Sequence, residues 1–206
     1  LDNAYLDYLR GYRFDSSEVN IIQIDGKLEI TIEGFLYKTV LWEVRLLAII
    51  SALWNEMMKH EFVHIEGRAQ AKAMELSYMK AGVSEFGTRR EANEDVHRIV
   101  LTTLKKYMGE YLRGTSNVRL AMEYGLQPQG THPHELFMFW SSVVGFAYAN
   151  SASLKHWVDT YQGDLGTALT DTYTTDNFLK AFTLKYAKLF DGIRHDSSDP
   201  LIWTDK

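Results

Sequence analysis

The sequence predicts an α/β protein: parallel strands joined by helical crossovers in a layer or barrel, preceded by a small antiparallel sheet. Three observations carry this reading. Val19 to Ile24 and Leu28 to Ile32 alternate apolar and polar residues around Asp25-Gly26, a pair suited to a type I′ turn. From Gly82 onward a rhythm of short strand, polar loop and helix recurs, as parallel strands with helical crossovers require. The loops in that stretch carry clustered polar residues, and such sheets and barrels bind ligands where their strands end.

Each element follows from local pattern. Leu1 to Tyr12 reads as a short amphipathic helix or extended lead-in, and Leu36 to Leu41 as a third strand beside the hairpin. From Glu43 the period changes: Leu46, Leu47, Ile50, Leu53, Trp54 and Met57 recur at helical spacing, and a second helix is predicted over Ile65 to Ala81. The apolar run from Val40 to Trp54 is interrupted by Glu43 and Arg45, so it reads as a core strand and helix, not a membrane span. Trp42, Trp54 and Trp157 are expected to be buried. Strands follow at Val83 to Phe86, Tyr111 to Arg113, Leu126 to Gln129, Thr167 to Thr170 and Asp191 to Arg194. Helices are expected from Glu91 to Tyr107, from a Ser116 cap to Tyr124, from Glu135 to Asn150, from Ser153 to Tyr161, and from the Asp171–Asp176 loop through Phe182 and Tyr186.

Composition narrows the function classes. Hydrophobic residues at 46% and aromatic residues at 13% exclude a disordered chain. A formal net charge of −5 gives no general attraction for nucleic acid or anionic lipid. The absence of Cys excludes disulfides, thiolate catalysis and Cys-ligated zinc, and fits a cytoplasmic protein. The opening residues carry no basic leader, so no signal peptide is expected. No Met begins the chain, and it stops at Lys206 in structured-looking sequence, which points to an internal fragment.

The polar loops permit several chemistries. Gly-Thr ahead of a helix presents backbone N–H groups and a hydroxyl, suited to phosphate or carboxylate but equally to a plain helix cap. Arg89 and Arg90 can clamp an anion or stand as a solvated pair. Asp196 and Asp199, with Ser197 and Ser198, can grip sugar hydroxyls or a divalent cation, or form a turn before Pro200. His132 and His134 in Gly130-Thr131-His132-Pro133-His134-Glu135 admit two readings: metal ligands of a hydrolytic barrel completed by Asp171 or His195, or a nucleophile or proton carrier oriented by a carboxylate. His60 and His64 stand one turn apart if a helix continues there, a spacing that can hold metal but more often marks a surface or cap. Composition and spacing leave these alternatives open.

Particular strings resolve them by resemblance. Phe86-Gly87-Thr88-Arg89-Arg90, Gly114-Thr115-Ser116-Asn117, Gly130-Thr131-x-x-His134-Glu135, Asp164-Leu165-Gly166-x-Ala168-Leu169-Thr170-Asp171-Thr172 and Arg194-His195-Asp196-Ser197 resemble, in order, the motifs of nicotinate phosphoribosyltransferases. Tyr8-Leu9-Arg10-Gly11 and Leu41-Trp42-Glu43-Val44 resemble that family's upstream region. The resemblance implies an irregular α/β barrel, here residues 43–206, and part of an amino-terminal α/β sandwich-like domain with antiparallel strands, here residues 1–42. It implies a homodimer that joins nicotinate to 5-phosphoribosyl-1-pyrophosphate, in the first step of NAD salvage. ATP as co-substrate, with Mg2+, drives the reaction through a phosphohistidine.

Carried onto this chain, the resemblance makes His134 the phosphorylated histidine and gives His132 no role. Phe86 is similar to the aromatic face that stacks the pyridine ring, and Arg89 and Arg194 to its anion holders. Asp196 resembles the ribose- or magnesium-linked acid, with Ser197 beside it. Asp171, Thr131 and Thr174 fall near the site. Ser116 stands where related nicotinamide-using enzymes carry Asp; a hydroxyl can donate to the carboxylate of nicotinate, which a carboxylate side chain repels.

Four departures stand against the resemblance. Ser198 replaces a Gly, Leu136 a Trp and Arg45 a Pro of the family pattern, and the family's amino-terminal substrate-contacting segment and carboxyl-terminal glycine-rich phosphate-binding strands are missing. A metal-dependent barrel hydrolase using His132 and His134, and an inactive homologue that only binds nucleotide or a partner, are the competing readings.

Overall fold

The computed structural model describes residues 3–205, and the chain divides into two compact units, residues 1–129 and 130–206. The fold is mixed α/β, as predicted. Leu1 and Asp2, the first residues of the expected lead-in, lie outside the described residues.

The first unit opens with a helix, α1 (Asn3–Gly11), then an antiparallel hairpin of β1 (Val19–Ile24) and β2 (Lys27–Ile32). Asp25 and Gly26 both take positive φ, 50° and 76°, as a type I′ turn demands. Residues 36–41 correct the expected third strand. Leu36–Thr39 is a single helical turn, α2, and α3 (Trp42–Met57) follows it, so the sheet stops at two strands. So short a run cannot by its pattern separate a strand from one helical turn. Here Tyr8 of α1 donates its hydroxyl to the Tyr37 carbonyl, and Tyr12, just past the end of α1, donates to the Lys38 carbonyl, which also accepts from Leu41 N.

No residue of α3 is buried among the described residues, and Trp54 is 57% exposed, against the expected core position. Trp42 is half-buried, its indole N–H donating to Glu18 Oε2 at 2.9 Å. The helix ends at Met57, so His60 and His64 do not share a helical face. His60 Nδ1 pairs with Asn55 Oδ1 at 2.8 Å, and His64 sits in the left-handed region (φ 55°) ahead of α4 (Ile65–Tyr78). None of the described helices is long and apolar enough to cross a membrane.

β3 (Val83–Glu85), α5 (Glu94–Met108) and β4 (Leu112–Thr115) form a parallel βαβ unit, followed by α6 (Val118–Tyr124). Its core is Ala73, Leu101, Met108, Leu112 and Leu120. Each large side chain buried there contributes about 1.5–3 kcal/mol. The expected Ser116 cap is corrected to Asn117, whose Oδ1 accepts from Leu120 N at 3.1 Å. Gly114 admits a third strand-like segment: Thr115 N–H donates to the Gln127 carbonyl, and a Cβ on Gly114 would lie 2.1 Å from that oxygen.

In the second unit the single helix expected from Glu135 to Asn150 is two. Gly145 (φ 81°) separates α7 (His134–Val144) from α8 (Phe146–Tyr161), and α8 absorbs the separate helix expected from Ser153. The rest comprises β5 (Thr167–Leu169), α9 (Thr175–Ala181), α10 (Leu184–Ala187), β6 (Gly192–Arg194) and α11 (Pro200–Thr204). β5 and β6 pair in parallel, Leu169 beside Arg194, so their carboxyl ends leave together. Phe137, Leu154, Leu169, Phe178 and Phe190 fill the core behind them; Trp157 packs there half-buried and donates to the Leu165 carbonyl at 2.9 Å.

Candidate active site

The second unit converges its polar side chains where β5 and β6 end. β5 runs into Thr170-Asp171-Thr172 and β6 into His195-Asp196-Ser197, while α7 begins at His134. His134 is held from both ring nitrogens: Nδ1 lies 3.0 Å from Thr172 Oγ1 and Nε2 lies 3.0 Å from Asp196 Oδ2. An imidazole that donates from Nε2 to a carboxylate carries its lone pair on Nδ1, the side that meets the Thr172 hydroxyl. Arg194 donates to Thr131 Oγ1 at 2.8 Å and stands 3.8 Å from Asp196 Oδ2. Ser197 donates to Asp171 Oδ2, whereas Asp171 Oδ1 is buried without a hydrogen-bond partner. One ligand atom from each of His134, Asp171 and Asp196 lies within 4.8 Å of the others. An oriented imidazole, two carboxylates and a guanidinium suit phosphoryl chemistry on an anionic substrate.

Thr174 does not join them through its hydroxyl, which caps α9 by accepting from Asn177 N, with its backbone at φ 69°. His132 points away into the core. It is fully buried against Phe137, Trp157 and Phe190, and neither ring nitrogen has a hydrogen-bond partner. Burial, helped by the charge of Arg194, depresses its pKa to about 4, so it is neutral at pH 7. The hydrolase reading needs His132 and His134 on one ion. The cluster of possible metal-ligating side chains among the described residues omits His132. The string His60-Glu61-Phe62-Val63-His64 has zinc-protease spacing, yet it lies outside any helix and cannot present both rings on one face.

Ser198 has φ 78°, the left-handed backbone for which Gly is favoured. Its hydroxyl lies 3.4 Å from His195 Nε2.

In the first unit the expected residues sit at the ends of β3 and β4. Phe86 follows β3 and is 43% exposed, so its ring is open to stacking. Arg89, in a 3-10 turn over Thr88–Arg90, pairs with Glu43 of α3. Ser116 follows β4, its N–H donating to the Glu85 carbonyl at 2.8 Å.

A buried group here was not read from the sequence. His97 of α5, 4% exposed, lies between two carboxylates: Nε2 is 2.9 Å from Glu85 Oε2 and Nδ1 is 2.5 Å from Glu91 Oε2. Burial works against the charged form of His97, but the bonds and charges of Glu85 and then Glu91 prevail and raise its pKa. Burial likewise opposes ionisation of Glu85, yet its bonds from His97 and Thr115 hold its carboxyl below the usual range. The signal was available: His97, Leu101 and Leu104 lie on one helical face, and Glu85 interrupts the apolar alternation of β3.

Fold and geometry together define an α/β protein with a histidine-centred cluster of polar and charged side chains at the ends of parallel strands. Residues 81–206 match the nicotinate phosphoribosyltransferase (NAPRTase) family and residues 1–51 match the N-terminal domain of that family. The chain belongs to the nicotinate phosphoribosyltransferase family. It is 48% identical over 204 residues to the nicotinate phosphoribosyltransferase of Chromohalobacter salexigens, covering 98% of this chain and 52% of that protein. It is 40% identical to that of Desulforapulum autotrophicum, over 98% of this chain and 53% of the other. Among solved structures, the nicotinate phosphoribosyltransferase of Porphyromonas gingivalis superposes with a TM-score of 0.96 at 43% identity, covering 100% of this chain and 54% of that one. That of Vibrio cholerae superposes with a TM-score of 0.91 at 30% identity, over 100% of this chain and 51% of that one. The chain spans about half the length of the curated relatives it matches.

Proposed function

We propose that the protein carrying this chain is a nicotinate phosphoribosyltransferase, forming nicotinate mononucleotide and pyrophosphate from nicotinate and 5-phosphoribosyl-1-pyrophosphate, in the first step of NAD salvage. ATP hydrolysis is coupled to it through a phosphohistidine at His134. The observation that carries the reading is the clamp on that ring: Asp196 at Nε2, Thr172 at Nδ1, and Arg194 beside them.

In the ATP half-reaction the Nδ1 lone pair attacks the γ-phosphorus. An N–P bond forms, the bond to the bridging oxygen breaks, and ADP leaves. Nε2–H stays on the Asp196 carboxylate, which offsets the positive charge the ring acquires. Water later cleaves the N–P bond and releases phosphate. In phosphoribosyl transfer the C1–pyrophosphate bond breaks as the pyridine nitrogen bonds to C1; nicotinate's nitrogen carries no proton, so none has to leave. Positioning and charge stabilisation supply most of the rate.

Phe86 stacks the pyridine ring, Ser116 donates to its carboxylate, and Arg89 and Arg194 hold anionic groups. Asp196 meets the ribose hydroxyls or the ion that accompanies them, with Ser197 and Thr131 orienting Asp171 and Arg194 through their hydrogen bonds. Asp171 and Asp196 suit Mg2+, which takes one or two carboxylates together with substrate phosphates, and the unpartnered Oδ1 of Asp171 supports this. Bound there, Mg2+ supplies neutralisation of phosphate charge. The protein is cytoplasmic and works as a homodimer, residues 1–42 belonging to its sandwich-like domain and 43–206 to its barrel.

The test is product formation by the full gene product carrying this chain, given nicotinate, phosphoribosyl pyrophosphate and Mg-ATP. Nicotinate mononucleotide is expected, with a yield that rises with ATP and loses that ATP dependence in His134→Ala. A folded protein that binds nucleotide and makes no product supports the inactive-homologue reading instead.

A further inference from the structure

Glu85 reaches both loops that carry the nicotinate-recognising residues of the first unit. Its Oε1 accepts from the N–H of Gly87, next to Phe86. Its Oε2 accepts from Thr115 Oγ1 at 2.6 Å, and its backbone carbonyl accepts from the N–H of Ser116 at 2.8 Å. Thr115 Oγ1 in turn accepts from Asn117 N at 3.1 Å, and Asn117 caps α6. The residue on each side of Ser116 is therefore tied down, as is Ser116's own amide. Fixing the Glu85 carboxylate fixes the loops at Phe86 and Ser116 with it.

What fixes Glu85 is His97, anchored on its far side by Glu91. An imidazole facing a carboxylate at each nitrogen donates from both, and so is an imidazolium. Its positive charge keeps a buried carboxylate ionised and confined to one rotamer, which a neutral partner would do less well. Gly87 fits this arrangement, since a Cβ there would lie 2.5 Å from Glu85 Oε1.

We propose that Glu91, His97 and Glu85 form a positioning relay that sets nicotinate affinity by holding the Phe86 and Ser116 loops, with no direct contact between His97 and substrate. This rests on the reading of the protein as a nicotinate phosphoribosyltransferase. The relay predicts a selective effect. Losing the imidazolium loosens nicotinate, whereas ATP cleavage at His134 proceeds as before.

The experiment is isothermal titration of nicotinate into the full gene product, wild type against His97→Gln, with KM for nicotinate and for phosphoribosyl pyrophosphate measured alongside. Leaving Glu85 without its charged donor should weaken nicotinate binding about tenfold, with KM for phosphoribosyl pyrophosphate shifted less than about twofold. Glu91→Gln, whose amide oxygen still accepts from Nδ1–H, should weaken it less than His97→Gln. Thr115→Val removes one link of the relay while keeping the side chain's shape; it should weaken nicotinate about threefold and decides the matter if His97→Gln does not fold. Unchanged nicotinate affinity in His97→Gln and Thr115→Val overturns the relay, as does equal weakening of both substrates. Wild type that binds nicotinate without turnover overturns the functional reading and leaves the affinity test of the relay standing. Wild type that binds no nicotinate overturns both.

Discussion

The two compact units each bury one histidine and treat it in opposite ways. His97, 4% exposed, lies between the carboxylates of Glu85 and Glu91 and carries a proton. His132, fully buried, lies among Phe137, Trp157 and Phe190 with no partner for either nitrogen, and is neutral. Burial by itself drives both rings toward the neutral form; two carboxylates reverse that for His97, and the nearby Arg194 reinforces it for His132. Burial of a titratable residue is therefore no guide to its role. The partners are what separate a charged anchor from a filler of the core.

The comparison is broken most severely by removing the charged anchor. His97→Leu strands Glu85 beside Thr115 and Gly87 alone, and should cost about 3–5 kcal/mol in urea unfolding. A loss below about 1 kcal/mol would show that the carboxylate finds other donors.

Acid should affect the two units differently. His97 has a raised folded pKa, so its contribution is complete below the unfolded value and lost as pH climbs through the folded one. Glu85, with a lowered pKa, adds stability above its unfolded value that is lost only in stronger acid. His132 runs the other way: its folded pKa of about 4 lies below the ordinary histidine value of 6.5, so stability is lost as pH falls between those limits, by roughly 3 kcal/mol in all. Amide hydrogen exchange at pH 5 against pH 7 should show α7 and α8 losing protection while α5 keeps it. His132→Phe should abolish the loss in α7 and α8, and at pH 7 should be neutral or stabilising by about 1 kcal/mol, because it removes two unpartnered nitrogens.

The smallest expected effect is at Ser198. Its left-handed backbone should relax on Ser198→Gly, with a gain of about 1 kcal/mol in unfolding free energy. No gain would mean that the loop holds that conformation without strain.

Sequence pattern succeeded where chemistry is local. Asp25-Gly26 announced its turn, and the polar loops after β5 and β6 are where the candidate side chains cluster. The motif resemblance named His134, Asp171, Asp196, Arg194, Thr131 and Ser197, and the fold gathers these at the ends of β5 and β6. Pattern failed where distant residues decide. Residues 36–41 read as a strand, but the hydroxyls of Tyr8 and Tyr12 donate to carbonyls of a helical turn. Trp54 looks like core in one dimension and is exposed. The Glu85–His97–Glu91 group spans a strand, a loop and a helix face, and only their packing reveals that the three side chains meet.

The central claim is that His134 accepts the γ-phosphoryl group of ATP, and the direct measurement is label transfer. The full gene product is incubated with Mg-ATP labelled at the γ-phosphate, then quenched in alkali, where phosphohistidine survives, and in acid, where it does not. The account predicts an alkali-stable, acid-labile label that maps to His134 and vanishes in His134→Ala. A label that persists in that variant, or no label from a protein that still hydrolyses ATP, would contradict it.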